Sequence, residues 1–403
     1  MKLIRCAMLL GVAIAGSAIA CEKDTSGFAM AAGFCASVFA DNLGHVRHLA
    51  VAPNGDVYVN TWSSRYTDYK NASGGYIVAL RDANGDGRAE VIRRFGSAHQ
   101  DGREGGGTGI AVSGGALYVE DAGKVVRYRL QAGALVPQGA PEVILSGLPI
   151  EGGDVVHSFA IAPDGAMFVN FGAVTNSCQE QGRTPESPGI APCPELDLHA
   201  GIWRYEANKT DQVFSPTERF ATGTRNAVAL AMQPNGPLYA TLDGRDQLSA
   251  SEVFAPVQAE DDFGWPYCYY NPGQGKYVLV PEYRGDGGSK QGECIALKHP
   301  RVTFPPHWAP SGMTFYSGSA FPREYRGGAF VAFQAGSLVA FVPFGEDGAL
   351  GRYEVFAAAL ANRPTGVAVG PDGALYVSDD VKGRIWKITY EAQPAIQLKE
   401  TQR

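Results

Sequence analysis

Along most of the chain, apolar and polar positions alternate over short runs that end in glycine-containing turns, and no long stretch carries a 3.6-residue apolar period. One unit returns six times: an apolar strand, a Gly-containing turn, then a strand rich in Tyr, Phe and Val. It reads LAVAPNGDVYVN from Leu49, GIAVSGGALYVE from Gly109 and FAIAPDGAMFVN from Phe159. It continues as LAMQPNGPLYAT from Leu230, a looser MTFYSGSAFPREYRGGAFVAF from Met313, and GVAVGPDGALYVSD from Gly366. Asn-Gly and Asp-Gly supply the positive φ that a tight hairpin demands. The units start 60, 50, 71, 83 and 53 residues apart, a spacing that suits four-stranded blades carrying loop insertions.

Third strands follow as GGYIVAL, KVVRYRL, GIWRYEA, SLVAFVPF and GRIWKITY, and outer strands as EVIRRF, EVILSGL and YEVFAAAL. The pattern predicts an all-β fold, a six-bladed β-propeller of four-stranded antiparallel blades over 21–390, with a polar tail over 391–403. The N-terminal CASVFADNL resembles the outer-strand segments and is expected to close the ring on the blade begun at Gly366, leaving no open sheet edge. Two β-sandwiches would not share one hairpin from end to end.

Composition agrees with many short strands: 51 of 403 residues are Gly and 25 are Pro. The first twenty residues read as a signal peptide, with Lys2 and Arg5 ahead of an apolar stretch and Ala18-Ile19-Ala20 at the cleavage site. A lipoprotein anchored at Cys21 is the lesser alternative. Export to a periplasmic or secreted location follows, and no later segment is apolar enough for a membrane span. Removing the signal takes the formal charge from −7 to −9, which excludes the basic surface of a nucleic-acid binder. It also removes Cys6, leaving three local pairs: Cys21 with Cys35, Cys178 with Cys193, and Cys268 with Cys294. An oxidising compartment favours disulfides, and no two cysteines stand two residues apart as a thiolate metal site would ask.

Propeller topology brings loops that enter the innermost strand, and loops that leave the second strand, to one face around the axis. The entering loops carry Arg47 and His48, His157, Arg225 and Asn226, and Arg363. The leaving loops carry Asn176, Asp243-Gly244-Arg245-Asp246 and Asp379-Asp380. Arginines placed there suit a ligand with several carboxylates, and His157 suits a general base working near neutral pH. The alternative for His157 is a strand cap bonded to backbone.

VVHSFAIAPDGAMFVNFG, GTRNAVALAMQPNGPLYATLDGRDQL and RPTGVAVGPDGALYVSDD together resemble the soluble quinoprotein sugar dehydrogenases, particularly the sorbosone dehydrogenase-like branch. The resemblance runs over nearly the whole mature chain. It implies pyrroloquinoline quinone (PQQ) and a calcium ion on the propeller axis, and oxidation of an aldose or a sugar aldehyde at the quinone. Carried over, His157 is the base that takes the hydroxyl proton, Arg225 stabilises charge on the reduced quinone, Asn226 holds the cofactor, and Arg363 meets a cofactor carboxylate. Main-chain carbonyls of Gly244 and Arg245 would hold the calcium. The chain departs from the glucose-oxidising members at two places: Gln334 stands where they have a lysine, and Thr365 where they have a second arginine. Arg47 is the residue that would compensate.

Three other motifs read as structural. Asp82-Ala83-Asn84-Gly85-Asp86-Gly87 begins like a calcium loop, but its twelfth position is Arg93. GREGGGTG at 102–109 precedes a strand, so it is a close-approach loop near the axis and not a phosphate cradle. Trp265 and the tyrosines of GWPYCYYNPG read as packing beside a disulfide. Electrons would pass to a separate acceptor, a cytochrome or quinone, since no Cys-x-x-Cys-His occurs. A calcium-dependent lactonase or other hydrolase is the alternative enzyme, but it asks for axial carboxylates on the metal where this chain has arginine and histidine. A non-catalytic propeller binding a partner or glycan is the third reading, kept open by Gln334 and Thr365.

Overall fold

The computed structural model describes residues 28–62, 75–96, 107–150, 157–185, 187–246, 248, 252–286, 289–344, 352–359 and 363–391. Six antiparallel sheets form the blades of a propeller. Their innermost strands are His45–Val51, Ile110–Ser113, Phe159–Ile161, Asn226–Met232, Pro310–Phe315 and Pro364–Val369. Each touches the next, and the sixth touches the first. The ring is closed by the N-terminal strand Phe34–Ala40, which pairs antiparallel with Arg384–Tyr390 as the outer strand of blade 6. The disulfide expected between Cys21 and Cys35 would pin this strand; Cys35 is disulfide-bonded, and Cys21 lies outside the described residues, as do the signal segment 1–20 and all of the tail but its first residue.

Each interface between neighbouring blades holds its own apolar core, six in all among the described residues. Period-2 alternation sends side chains to both sides of a blade. In blade 1, Val57 and Val59 enter the core shared with blade 6, and Tyr58 enters the core shared with blade 2. The second strands are therefore buried on both faces and read as continuous apolar runs.

Three features go beyond the expected pattern. Phe28–Met30 adds a fifth strand to blade 5. The short strands Gln212–Val213 and Asp261–Asp262 add in parallel to the outer edges of blades 2 and 3. The innermost strands of blades 1, 4, 5 and 6 slip register near their first residues, at Val46/Leu49, Asn226/Ala229, Pro310/Gly312 and Pro364/Gly366. Such bulges re-aim side chains, and here they sit at one end of the propeller. The fifth unit, irregular in sequence, still forms an antiparallel blade, in which Pro310–Phe315, Ala329–Phe333, Leu338–Val342 and Glu354–Ala359 pair in order.

Candidate functional site

The bulged end of the propeller collects most of the side chains that the repeat placed there. His157 precedes the innermost strand of blade 3 and is 2% exposed. Its Nδ1 lies 2.8 Å from Oε1 of Glu120, the last residue of the second strand of blade 2. Its ring meets Phe171 edge-on, with centroids 5.1 Å apart. Nε2 is buried and has no hydrogen-bond partner among the described residues. The other carboxylate oxygen of Glu120 accepts the amides of Thr108 at 2.6 Å and Gly109 at 3.0 Å. Burial opposes charge on Glu120, but the bonds from His157, Gly109 and Thr108 outweigh it and hold the carboxyl below its usual range. A carboxylate only accepts, so Nδ1 carries a proton, and in the neutral ring Nε2 keeps its lone pair.

The glycine-rich loop makes this contact possible. A Cβ at Gly107 would stand 2.3 Å from the Glu120 carboxyl, and one at Gly109 would stand 2.4 Å from the His157 carbonyl oxygen. The close-approach reading of this loop holds over its described part, 107–109.

Arg225 lies between blades 3 and 4 with φ of 48°, a left-handed conformation that costs a non-glycine residue roughly 1–3 kcal/mol. Its guanidinium is buried against Asp243 Oδ2 at 2.9 Å and Asn176 Oδ1 at 3.1 Å. Asn226, next in sequence, accepts from Asn170 through Oδ1 at 2.9 Å. In the turn that follows, the Gly244 amide donates to Glu252, and Arg245 makes a buried two-pronged bond to Glu282 at 2.5 and 2.6 Å. The turn is thus anchored by an amide and a side chain. Burial and the neighbouring Asp243 push Glu252 up to about 8.

On the other side, Arg47 reaches Gln334 Oε1 at 3.2 Å and lies 3.6 Å from Asp380. His45 Nδ1 bonds the same Asp380 at 2.7 Å. His48 Nε2 bonds the Ser311 carbonyl, and burial pushes its pKa down to about 4, so it is neutral. Arg363 is exposed, with its amide held by Asp379 at 3.2 Å.

A family model for Glucose / Sorbosone dehydrogenase matches residues 120–387. The chain belongs to this family. Solved structures agree on the fold. The holo PQQ domain of pyranose dehydrogenase from Coprinopsis cinerea is 16% identical, with a TM-score of 0.71 over 91% of this chain and 98% of that one. PQQ-bound aldose sugar dehydrogenase from Streptomyces coelicolor is 19% identical, with a TM-score of 0.59 over 90% and 100%. The apo form of soluble aldose sugar dehydrogenase from Escherichia coli is 17% identical, with a TM-score of 0.60 over 89% and 100%. An uncharacterised protein of Borreliella burgdorferi is 24% identical over 204 residues, 43% of this chain; the match spans about half (49%) of that relative.

Within the family frame, the two departures differ in kind. Gln334 sits at the site and is paired with Arg47. Thr365 is fully buried: its hydroxyl donates to Val46 O at 3.1 Å and meets Ser378 Oγ at 3.1 Å. It latches blade 6 to blade 1 and presents no side chain to a ligand. Sequence reasoning missed Glu120 altogether. It ends a strand like any polar residue, and only its alignment with the other repeats sets it apart.

Cys178–Cys193 and Cys268–Cys294 are disulfides, and Trp265, buried beside the Gly244–Arg245 turn, donates from Nε1 to Asn176 O at 3.0 Å. The 82–87 turn is exposed, and Glu90, ninth in line, joins Asp82 and Asp86 with carboxylates within 4.8 Å of one another.

Proposed function

We propose that this chain is an exported quinoprotein dehydrogenase that oxidises an aldose or sugar aldehyde, with PQQ and calcium. The observation that carries the reading is the buried Nε2 of His157, without a hydrogen-bond partner among the described residues, in a chain of this family, on a propeller end that also holds the buried guanidinium groups of Arg47 and Arg225. When bound, PQQ would accept the hydride, two electrons and a hydrogen nucleus, from the substrate carbon.

The residues fit such a group. Nε2 of His157 takes the proton from the substrate hydroxyl as the C–H bond breaks, a role worth about 10²–10⁴ in rate. Arg225, Arg47 and the exposed Arg363 supply positive charge for an anionic cofactor, and Asn226 and Gln334 supply neutral polar contacts. The turn at Gly244 and Arg245 offers main-chain oxygens, the ligands a hard cation takes. Phe171, edge-on to the ring, and Glu120, bonded at Nδ1, fix the orientation of the His157 imidazole.

Export is supported by the two described disulfides and by the N-terminal segment; no helix among the described residues is long and apolar enough to cross a membrane. Electrons would leave to a separate acceptor.

The test is reconstitution of the metal-free protein with calcium and PQQ, followed by bound-quinone absorbance and aldose-dependent dye reduction. Stoichiometric binding with turnover lost in His157→Ala is the expected result. No binding at saturating PQQ would reject the reading and bring the hydrolase or the non-catalytic propeller forward.

A further inference from the structure

Near the end of the second strand, one repeat position latches five of the six blades to the next. It is Asn60 in blade 1, Glu120 in blade 2, Asn170 in blade 3, Thr241 in blade 4, Ala332 in blade 5 and Ser378 in blade 6, and all six are buried. Asn60 donates to Gly109 O at 3.1 Å and accepts from Gly107 N at 3.2 Å, both in the entry to blade 2. Asn170 accepts from Ala227 N at 2.8 Å in blade 4. Thr241 donates to Met313 Sδ of blade 5 at 3.8 Å, and Ser378 to Arg47 O of blade 1 at 2.5 Å. In blade 5 the latch passes to Ser311, which donates to Pro364 O at 3.1 Å.

Small neutral side chains therefore suffice for latching. Blade 2 alone places a carboxylate there, and burying one is costly unless it is paired. Latching does not need that charge, whereas a histidine that must keep Nδ1 protonated does.

We propose that Glu120 is the positioning residue of this site: reaching across from the neighbouring blade, it fixes His157 as the Nδ1–H tautomer so that Nε2 is the nitrogen that accepts the proton. The inference rests on the proposed role of His157, and it makes a claim about the imidazole that is readable without cofactor. The isosteric variant is informative because the two ends of the carboxylate face different partners. Oε2 accepts two amides, at 2.6 and 3.0 Å, against one longer amide contact at Oε1, from His157 N at 3.3 Å, so in Glu120→Gln the amide oxygen is held at the Oε2 end. The NH₂ group then points at Nδ1, which must accept, and the proton moves to Nε2.

The experiment is a long-range proton–nitrogen NMR spectrum of the histidine rings in the full-length protein, with His157→Ala as the assignment reference. Wild type is expected to show His157 protonated at Nδ1, and Glu120→Gln to show it protonated at Nε2. In reconstituted enzyme the same variant should lose about 10²–10⁴ in kcat with KM little changed. An Nε2–H tautomer in wild type overturns the proposal, whether or not the variant folds. An unchanged tautomer in Glu120→Gln also overturns it, even if activity falls. If His157→Ala keeps its turnover, the base assignment fails while the tautomer result stands on its own.

Discussion

The Arg47 guanidinium donates from Nη1 to Oε1 of Gln334, 3.2 Å away, although the residues lie 287 positions apart in blades 1 and 5. The positive charge that a lysine would supply in blade 5 is thus brought to the same place from blade 1, by a side chain re-aimed at a register slip. Asp380, 3.6 Å from the guanidinium and shared with His45, keeps it oriented. Arg47→Gln retains a polar contact but removes the charge. Its dissociation constant for PQQ should rise at least tenfold, about 1.4 kcal/mol, in an absorbance titration. An unchanged constant would remove Arg47 from the cofactor site.

Arg245 and Glu282 form a bidentate ion pair with both side chains nearly buried. Arg245→Ala leaves a carboxylate buried without its cation, which typically costs about 3–5 kcal/mol. The denaturation midpoint should fall accordingly. Replacing both residues with Met should recover most of the loss.

Gly109 sits where blade 2 packs tightly against blade 3. A Cβ there meets the His157 carbonyl at 2.4 Å and the Phe159 ring at 2.5 Å. Backbone cannot yield as a flexible side chain can, so Gly109→Ala should lower stability by about 1–3 kcal/mol. Displacing His157 should reduce turnover as well. Ala at Gly114, where a Cβ meets nothing within 4 Å, should be milder, its cost being confined to the positive φ.

The pH dependence of stability follows from two carboxylates. Burial acts against the charged form of Glu282 and Glu120, but Arg245 in one case and His157 with two amides in the other hold both below their usual range. A group with a lowered native pKa contributes stability that is complete above its unfolded value, about 4.3 for Glu, and lost as pH falls through the native value. The melting temperature should therefore drop on acidification below about pH 4, and Glu282→Gln with Arg245→Met should flatten that drop.

Much of the architecture was legible because each hairpin declares itself locally: period-2 apolar residues on either side of a Gly turn, as in VAPNGDVYV. Ring closure by Phe34–Ala40 was legible for the same reason. The register slips were not. A bulge is a mismatch in count between two strands, and neither strand alone records it. The added strand Phe28–Met30 and the parallel pair at Gln212–Val213 are too short to show a period. Of the site, His157 and Arg225 stood out as unusual residue types in turn positions. Glu120 did not, because a charged residue at a strand end is common on a surface, and only tertiary closure turns that position inward.

Thr365 separates an apparent loss of function from a structural replacement. By resemblance it stands where an arginine is missing, but its hydroxyl bonds Val46 O and meets Ser378 Oγ, and its side chain is enclosed where blade 6 meets blade 1. A Cβ at its neighbour Gly366 would already stand 2.9 Å from Arg47 O and from the His48 Cα, so the seam has no spare room. Thr365→Arg must then bury a guanidinium without a partner or push the blades apart. It should destabilise the protein by several kcal/mol and leave PQQ affinity unimproved. Gln334→Lys, at a half-buried position, should fold normally but crowd Arg47 with a like charge. In combination with Arg47→Gln it should return PQQ affinity toward the wild-type value, which a titration of the double variant measures directly. Tight binding by Thr365→Arg would mean that the seam opens, and that the blade 6 entry has a second conformation.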